Sequence, residues 1–360
     1  MNNPVESLAT FYRGKRVFLT GHTGFKGSWM ALLLHTLGAR VYGYALPPEN
    51  IRGCLYELLD VARLVETSTF GNVCNYDAFR DALIAAKPDI ILHMAAQPLV
   101  KASYADPRTT YLSNVMGSVN LFEIVRSGGL RASIVNVTTD KCYENRDWVW
   151  PYRENDALGG HDPYSASKAC AEIITRSYRD SFFRKSGVLL ASARAGNVIG
   201  GGDFSADRII PDIVAAVSKD ATVTLRSPSA IRPWQHVLEV ITGYLMLAQR
   251  LHTQGDAFAQ AYNFGPDDFH PITVEALTKI FIDTLGRGDY TIQPDPNLHE
   301  THLLRLDNSK VKKELGWKPR YSQEEAIHLT ADWFAAYLAQ KDMRAATQQQ
   351  AVDYLGLLAA

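Results

Sequence analysis

A tyrosine and a lysine stand four residues apart in Tyr164-Ser165-Ala166-Ser167-Lys168, a spacing that puts both on one face of a helix. An ammonium beside a phenol favours the phenolate, so such a tyrosine can remove a hydroxyl proton near neutral pH. The plain structural reading is an aromatic–lysine pair on a surface helix, and the spacing by itself does not decide. Upstream, Thr138-Thr139-Asp140-Lys141 closes an apolar run with two hydroxyls, a carboxyl and an ammonium. At a strand end Asp140 and Lys141 would face opposite ways, and their plain reading is a solvated charged pair. A third cluster is Gly21-His22-Thr23-Gly24-Phe25-Lys26-Gly27, directly after the apolar run Arg16–Gly21. Glycines at 21, 24 and 27 let a turn tighten and its backbone approach a pyrophosphate, which the N–H groups of a following helix would hold. Glycine turns also serve as ordinary connections; the position between a first strand and a first helix favours dinucleotide binding.

These groups need a scaffold, and the hydrophobic pattern supplies one. Short apolar runs at 16–21, 40–45, 89–96, 132–139 and 187–196 alternate with helical patterns at 28–38, about 107–126 and from about 163. Continuous apolar strands separated by helices mean an α/β fold, a doubly wound parallel sheet of Rossmann type. The alternation breaks after Gly196, which predicts a smaller, mostly C-terminal α/β substrate domain. The expected division is 1–198 for the dinucleotide-binding domain with a return segment near 235–265, then 199–234 and 266–340 for the second domain. The tail 341–360 reads as a weakly ordered extension or a helix at an oligomer contact.

Composition narrows the function classes. Lys and Arg number 37 against 38 Asp and Glu, with no block of like charge, which argues against a nucleic-acid surface. The four cysteines form no CxxC pair, so neither a metal site nor a disulfide scaffold is expected. No signal-peptide run opens the chain, and no stretch approaches the ~20 apolar residues of a membrane span. The expectation is a cytoplasmic protein with no membrane partner.

Taken together, TGHTGFKG, HMAAQ, the stretch Asn114–Gly117, the threonine-ended strand and YSASK resemble the extended short-chain dehydrogenase/reductases, from about Arg16 to Asp332. That resemblance implies NAD held by Gly21, His22, Thr23, Gly24, Phe25, Lys26, Gly27, Asn72, Val73, Ala95, Ala96, Gln97, Asn114, Tyr164 and Lys168. Thr139 would position a sugar 4-hydroxyl, Tyr164 would be the base, and Lys168 would lower its pKa and hold the nicotinamide ribose. Asn72 stands where the family carries an aspartate. The acid that commonly ends the second strand, about 20 residues beyond the glycines, is missing before Glu49. With bulky His22 and Lys26 in the turn, NAD is expected to bind loosely.

Thr139-Asp140-Lys141 resembles the Thr-Asp-Glu of sugar-nucleotide 4,6-dehydratases, with Asp140 as acid for the C6 hydroxyl and lysine in the place of the C5 base. The runs DKCYENRDWVWPYRENDALGGHDPYSASKACAE and RAGNVIGGGDFSADRIIPDI resemble the branch that acts on CDP-glucose. The catalytic set implied is Thr139, Asp140, Lys141, Tyr164 and Lys168. Substrate contacts implied are Thr139, Asn197, Arg208, Arg232 and His302, each arginine having a surface ion pair as its plain reading. Trp150, Phe204 and Trp234 read as packing residues. A homodimer or homotetramer is implied too. A dTDP-glucose dehydratase and an NAD-binding regulatory protein without turnover stay open as alternatives.

Overall fold

A computed structural model of the chain describes residues 4–48, 53–267, 272–293 and 304–359. Its strands are β1 Arg16–Thr20, β2 Arg40–Ala45, β3 Thr67–Phe70, β4 Ile90–His93, β5 Ser133–Val137, β6 Leu189–Ala195, β7 Val198–Ile199, β8 Val223–Leu225, β9 Gln235–His236, β10 Ala261–Phe264 and β11 Tyr290–Ile292. Helices before the midpoint are α1 Pro4–Tyr12, α2 Phe25–Thr36, α3 Leu55–Leu58, α4 Tyr76–Ala86, α5 Val100–Ala105, α6 Pro107–Tyr111 and α7 Gly117–Ser127. Then follow α8 Pro163–Ser181, α9 Ile209–Val217, α10 Val237–Gln254, α11 Val274–Leu285, α12 Ser309–Leu315, α13 Gln323–Leu338 and α14 Met343–Ala359.

Seven strands form one parallel sheet in the order β10-β6-β5-β4-β1-β2-β3. β4 and β5 are buried along their whole length because helices cover both faces, the reason their sequences run apolar without alternation. The chain winds outward from β1 in one direction and from β4 in the other, so a crevice opens beyond the carboxyl ends of β1 and β4. α2 is buried from Gly27 through Leu34, and its apolar run lies between the sheet and α10.

α10 packs on α2, β5 and β6, and β10 extends the sheet beside β6, so the chain returns to the large sheet after residue 234. β8 pairs with β11 and β7 with β9, in two small parallel sheets. β3 escapes the hydrophobic pattern: Thr67-Ser68-Thr69-Phe70 is a mostly exposed edge strand, held by backbone pairing to β2 rather than by apolar burial. Of the two readings of the tail, the helix is the one seen: α14 packs on α1 and α13 of its own chain and buries Met343, Ala351, Tyr354, Leu355 and Leu358. Trp150, expected to pack, is 70% exposed; Trp234 is buried and Phe204 lies edge-on to Phe334. Glu49, Arg52 and His302 lie outside the described residues. Among those residues no helix is long and apolar enough to cross a membrane.

Glu239 of α10 fastens the C-terminal part to the sheet. Its Oε1 accepts the N–H groups of Arg320 and Tyr321, both at 2.8 Å, and its Oε2 accepts the Tyr354 phenol at 2.9 Å. Burial pushes its pKa up to about 7, against those hydrogen bonds. A carboxyl pKa raised by folding stabilises the fold fully below the unfolded value and loses that contribution as pH rises through the folded one. Denaturant unfolding of the wild type should therefore lose stability between pH 5 and about pH 8, and Glu239→Gln should flatten that dependence. Glu239→Ala, which strands two N–H groups and a phenol, should cost about 2–3 kcal/mol.

Candidate active site

The site lies at the carboxyl edge of the sheet, where β1, β4, β5 and β6 end together. After β1, Gly21 adopts φ +80° and donates its N–H to Tyr44 O at 2.9 Å. A Cβ on Gly27 would stand 1.9 Å from Gly21 O, so the helix can start this close only with glycine there. The N-cap of α2 is Gly24, with no side chain capping it, which leaves the first helical N–H groups for an anion. These features fit a dinucleotide pyrophosphate. Phe25 packs against the main core and Thr23 Oγ1 donates to Leu46 O at 3.0 Å. His22 is buried inside the turn with Nε2 2.7 Å from Ser68 Oγ, and burial holds its pKa down at about 4. Lys26 points toward the reaction centre: burial and then Arg208 lower its pKa to about 8, opposed by Asp140 and Asp203.

Met94 and Ala95 donate their N–H groups to Thr20 Oγ1, both at 3.0 Å, which holds the chain after β4 beside the turn and leads it on to Ala96 and Gln97. Gln97 N donates to Asn114 Oδ1 at 2.8 Å, and Asn114 Nδ2 donates to Ser167 Oγ at 2.8 Å. Asn114 sits in a π-helical turn, Leu112–Met116, that interrupts the helix between α6 and α7. Such a bulge turns one side chain out of the helical register, here to tie β4 to α8. Val73 is buried beneath Gly117. Exposed Asn72 spends one lone pair of Oδ1 on the Cys74 N–H at 2.8 Å, so an adenine contact would use the other.

α8 begins where Asp162 caps the Ser165 N–H at 2.9 Å and Pro163 supplies a preset φ. Tyr164 and Lys168 are then buried one turn apart. Burial pushes the pKa of the Tyr164 phenol up to about 12, opposed by the neighbouring Thr139 hydroxyl and then by the charge of Arg208. Lys168 Nζ donates to Val137 O at 3.4 Å, and burial followed by the charge of Lys26 lowers its pKa to about 8. Desolvation is thus the largest influence on both groups.

Asp140, Lys141 and Cys142 form a 3₁₀ turn rather than a strand end, with Thr139 as N-cap. Thr139 Oγ1 donates to Asp140 Oδ1 at 2.9 Å, and Asn197 Nδ2 donates to Asp140 Oδ2 at 3.4 Å. Asp140 is fully buried; burial raises its pKa, with Lys141, Thr139 and Arg232 acting against the rise. A Cβ on Gly196 would fall 1.8 Å from Asp140 Oδ2, so the carboxyl occupies the space a side chain there would need. Lys141 is half-buried beside it. Arg208 pairs with Asp203 at 2.7 Å, and Arg232 Nη1 donates to Ile231 O at 2.8 Å. Asn197, expected at a phosphate, thus touches the carboxyl in its left-handed conformation, φ +49°.

Behind the site stands a group that motif reading passed over. Glu172, one turn beyond Lys168, accepts Thr138 Oγ1 at 2.5 Å, Ser192 Oγ at 2.8 Å and Arg194 Nη2 at 2.7 Å. Arg194 Nη1 donates to the Tyr143 phenol at 2.7 Å, which donates to Asn263 Oδ1 at 2.7 Å. Two signals were available: the repeated four-residue spacing Tyr164, Lys168, Glu172, and a lone arginine in the small-residue strand LLASARA. Among the described residues no cluster of His, Cys, Asp or Glu could hold a metal ion.

The comparisons with known proteins agree with this geometry. A family model described as GDP-mannose 4,6 dehydratase matches residues 18–330. The CDP-glucose 4,6-dehydratase of Salmonella typhimurium is 45% identical over 96% of this chain and 97% of its own length. The dTDP-glucose 4,6-dehydratase of Streptomyces antibioticus is 29% identical over 70% of this chain and 71% of its own. In fold, the chain resembles the crystal structure of DesIV, a dTDP-glucose 4,6-dehydratase from Streptomyces venezuelae with NAD and TYD bound. The TM-score is 0.77 at 24% identity, covering 91% of this chain and 98% of that one. The glycine turn, the Tyr164–Lys168 helix and the buried Asp140 therefore sit in a chain that belongs to the GDP-mannose 4,6 dehydratase family, within the extended short-chain dehydrogenase/reductases.

Proposed function

We propose that the chain is an NAD-dependent hydro-lyase that converts CDP-D-glucose into CDP-4-keto-6-deoxy-D-glucose and water. The observation that carries this reading is the buried carboxyl of Asp140, bonded by Thr139 at 2.9 Å close to the buried phenol of Tyr164. Oxidation at C4 needs a base, elimination across C5 and C6 needs an acid, and both groups stand in one pocket. The cytidine assignment rests on the 45% identical relative.

When bound, NAD would supply the two-electron acceptor for oxidation at C4 and the donor for reduction at C6. The turn Gly21–Gly27 would hold its pyrophosphate and Lys168 its ribose. Tyr164 takes the C4 hydroxyl proton. The resulting ketone acidifies the C5 proton, and Lys141 acts on it as base or stabilises the enolate as an ammonium. Asp140 protonates the departing C6 hydroxyl, a role suited to a carboxyl whose pKa burial has raised. Arg208 and Arg232 offer guanidinium groups, and Asn197 its amide, to the diphosphate.

In this reading the large sheet with its 235–265 return is the cofactor half, and 199–234 with 266–340 the nucleotide-sugar half. Ile173 of α8 and Phe182 just after it are 54% and 45% exposed, and Tyr104 of α5 is 67% exposed, apolar surface that supports a homodimer or homotetramer. None of the four cysteines forms a disulfide, which suits a reducing cytoplasm.

Incubating the protein with NAD and CDP-, dTDP-, UDP- and GDP-linked sugars tests the proposal. A 4-keto product absorbing in alkali is expected from CDP-glucose; product from another nucleotide only would move the base assignment, and product from none would end the enzymatic reading. Lys141→Met should lower turnover ~100-fold or more and slow exchange of the C5 proton with solvent, while the wild type carries a C4 deuterium to C6 within one molecule. Arg232→Ala should raise KM roughly tenfold to a hundredfold, the equivalent of one charge-assisted phosphate contact of ~1.5–3 kcal/mol, with a smaller effect on kcat.

A further inference from the structure

We propose that Gln235 is a positioning residue for the acid step: it fixes the backbone at Gly196 and Asn197 against the Asp140 carboxyl, so that the C6 hydroxyl takes its proton from an acid held in one place. The proposal rests on the dehydratase reading above and gives a part in it to a side chain that does not itself bond to the acid.

β5 and β6 are parallel neighbours, with Val137 opposite Ala193. Three residues further along each chain stand Asp140 and Gly196, and they meet closely: a Cβ on Gly196 would lie 1.8 Å from Oδ2 and 2.0 Å from Cγ of Asp140. Asn197 then takes the left-handed conformation, φ +49°, and its Nδ2 donates to the same Oδ2 at 3.4 Å. Thr139 Oγ1 holds the other oxygen at 2.9 Å. One side of the acid is therefore fixed by its own neighbour in sequence. The other side is fixed by two residues that lie between β6 and β7, outside the ladder of either strand. A turn of that kind needs support from elsewhere in the fold.

Gln235 supplies that support. It lies on β9, opposite Val198 of β7. Its backbone N–H donates to Asn197 O at 3.2 Å, and its Nε2 donates to Gly196 O and to Phe264 O, both at 3.0 Å. The two hydrogens of one amide nitrogen thus tie the ends of β6 and β10 together, directly behind the residues that touch Asp140. The amide cannot be reversed, since Oε1 would then face two carbonyl oxygens. As placed, Oε1 is buried with no hydrogen-bond partner among the described residues, in a side chain that is 4% exposed overall. A residue with only packing to do there would be leucine or methionine, which leaves no buried acceptor unmet. The glutamine is of use through its two donors.

The support bears on one step of the reaction. In the elimination the C5–H bond breaks, its proton going to the base and its electron pair forming the C5–C6 double bond. The C6–O bond breaks, the Asp140 proton completes a water molecule, and Asp140 is left as a carboxylate. A donor to Asp140 is worth most once that charge has formed, so the Asn197 amide favours the transfer over the state before it. Its reach depends on the backbone that Gln235 holds. At 3.4 Å it is already at the long end for an N–H···O bond, and a slight outward shift would end it. The wall at Gly196 works in the same direction, because a retreat of that backbone would free the carboxyl to leave its place. Oxidation at C4, which uses Tyr164 and the cofactor, does not draw on this support.

A substrate with a different leaving group tests the assignment. CDP-6-deoxy-6-fluoroglucose shares the diphosphate and the C4 chemistry of CDP-glucose, but fluoride departs as an anion and needs no proton from Asp140. Gln235→Met keeps the length of the side chain and removes both donors. Its kcat on CDP-glucose should fall at least ~10-fold further than its rate of fluoride release from the analogue. Gln235→Leu replaces it if the methionine variant does not fold. Asn197→Gly keeps the left-handed backbone without strain and removes the amide, and it should show the same split. Losses shared by both substrates cancel in that ratio, including any weaker hold on the diphosphate. Equal losses on the two substrates in the Gln235 variant, or turnover at the wild-type rate, would make the residue a cap on two strand ends and overturn the proposal. Equal losses in Asn197→Gly would overturn it too, because the amide through which Gln235 acts would then be idle. A wild type that releases neither 4-keto sugar nor fluoride would overturn the dehydratase reading itself.

Discussion

A single buried carboxylate, Glu172, decides where the reactive groups stand. It holds Thr138 at the end of β5, Ser192 and Arg194 on β6, and it lies on α8 one turn from Lys168 and two from Tyr164. Burial works against its charge, yet Arg194 and the hydroxyl donors together keep its pKa below the ordinary glutamate value. Such a pair is expensive to desolvate, and its hydrogen bonds offset that cost; here Glu172 accepts three and Arg194 donates from both Nη atoms, while Arg194 Nε is left without a partner. What the fold gains is geometry: helix and two strands are locked at the edge where Thr139, Asp140 and Tyr164 must meet. Through Arg194, Tyr143 and Asn263 the lock extends to the 143–158 loop and to β10, and so to the second half of the molecule.

The pocket that results concentrates charge in little water. Lys26, Lys141, Lys168, Arg208 and Arg232 surround Asp140 and Asp203, an excess of cation suited to two diphosphates, one on the cofactor and one on the sugar nucleotide. The crowding has consequences for the amines. Burial first, then the charge of Arg208 on Lys26 and of Lys26 on Lys168, brings each down to about 8 from the ordinary lysine range. The cofactor turn is therefore not a passive cradle. Its Lys26 lies in the same field as the acid, and a diphosphate in the turn would change the electrostatics of both lysines.

Much of this was legible in the chain, because some information is local. Apolar runs separated by helical patterns dictate a parallel sheet, since only strands covered on both faces are uniformly apolar. The glycine turn could be read because Gly27 answers a contact with a residue six places away, and YxxxK because one helical turn joins its members. Asp162 and Pro163 announce the start of α8 in the same way. Function at the level of a nucleotide-sugar dehydratase followed from motif order, which survives without any knowledge of packing.

What the tertiary structure decided are the contacts between residues far apart in sequence. Asn197 meets Asp140 across 57 residues and Asn263 meets Tyr143 across 120, and no local pattern encodes either. β3 was invisible because an exposed edge strand is held by backbone pairing, which any polar sequence can supply. The order of the tail came from the contacts of α14 with α1 and α13 and from Glu239, again partners distant in the chain. Likewise, the spacing puts Lys168 one turn from Tyr164, whereas the burial that raises the phenol's pKa comes from the fold. A pKa belongs to an environment, and that environment exists only once β5, β6 and α8 have closed around it.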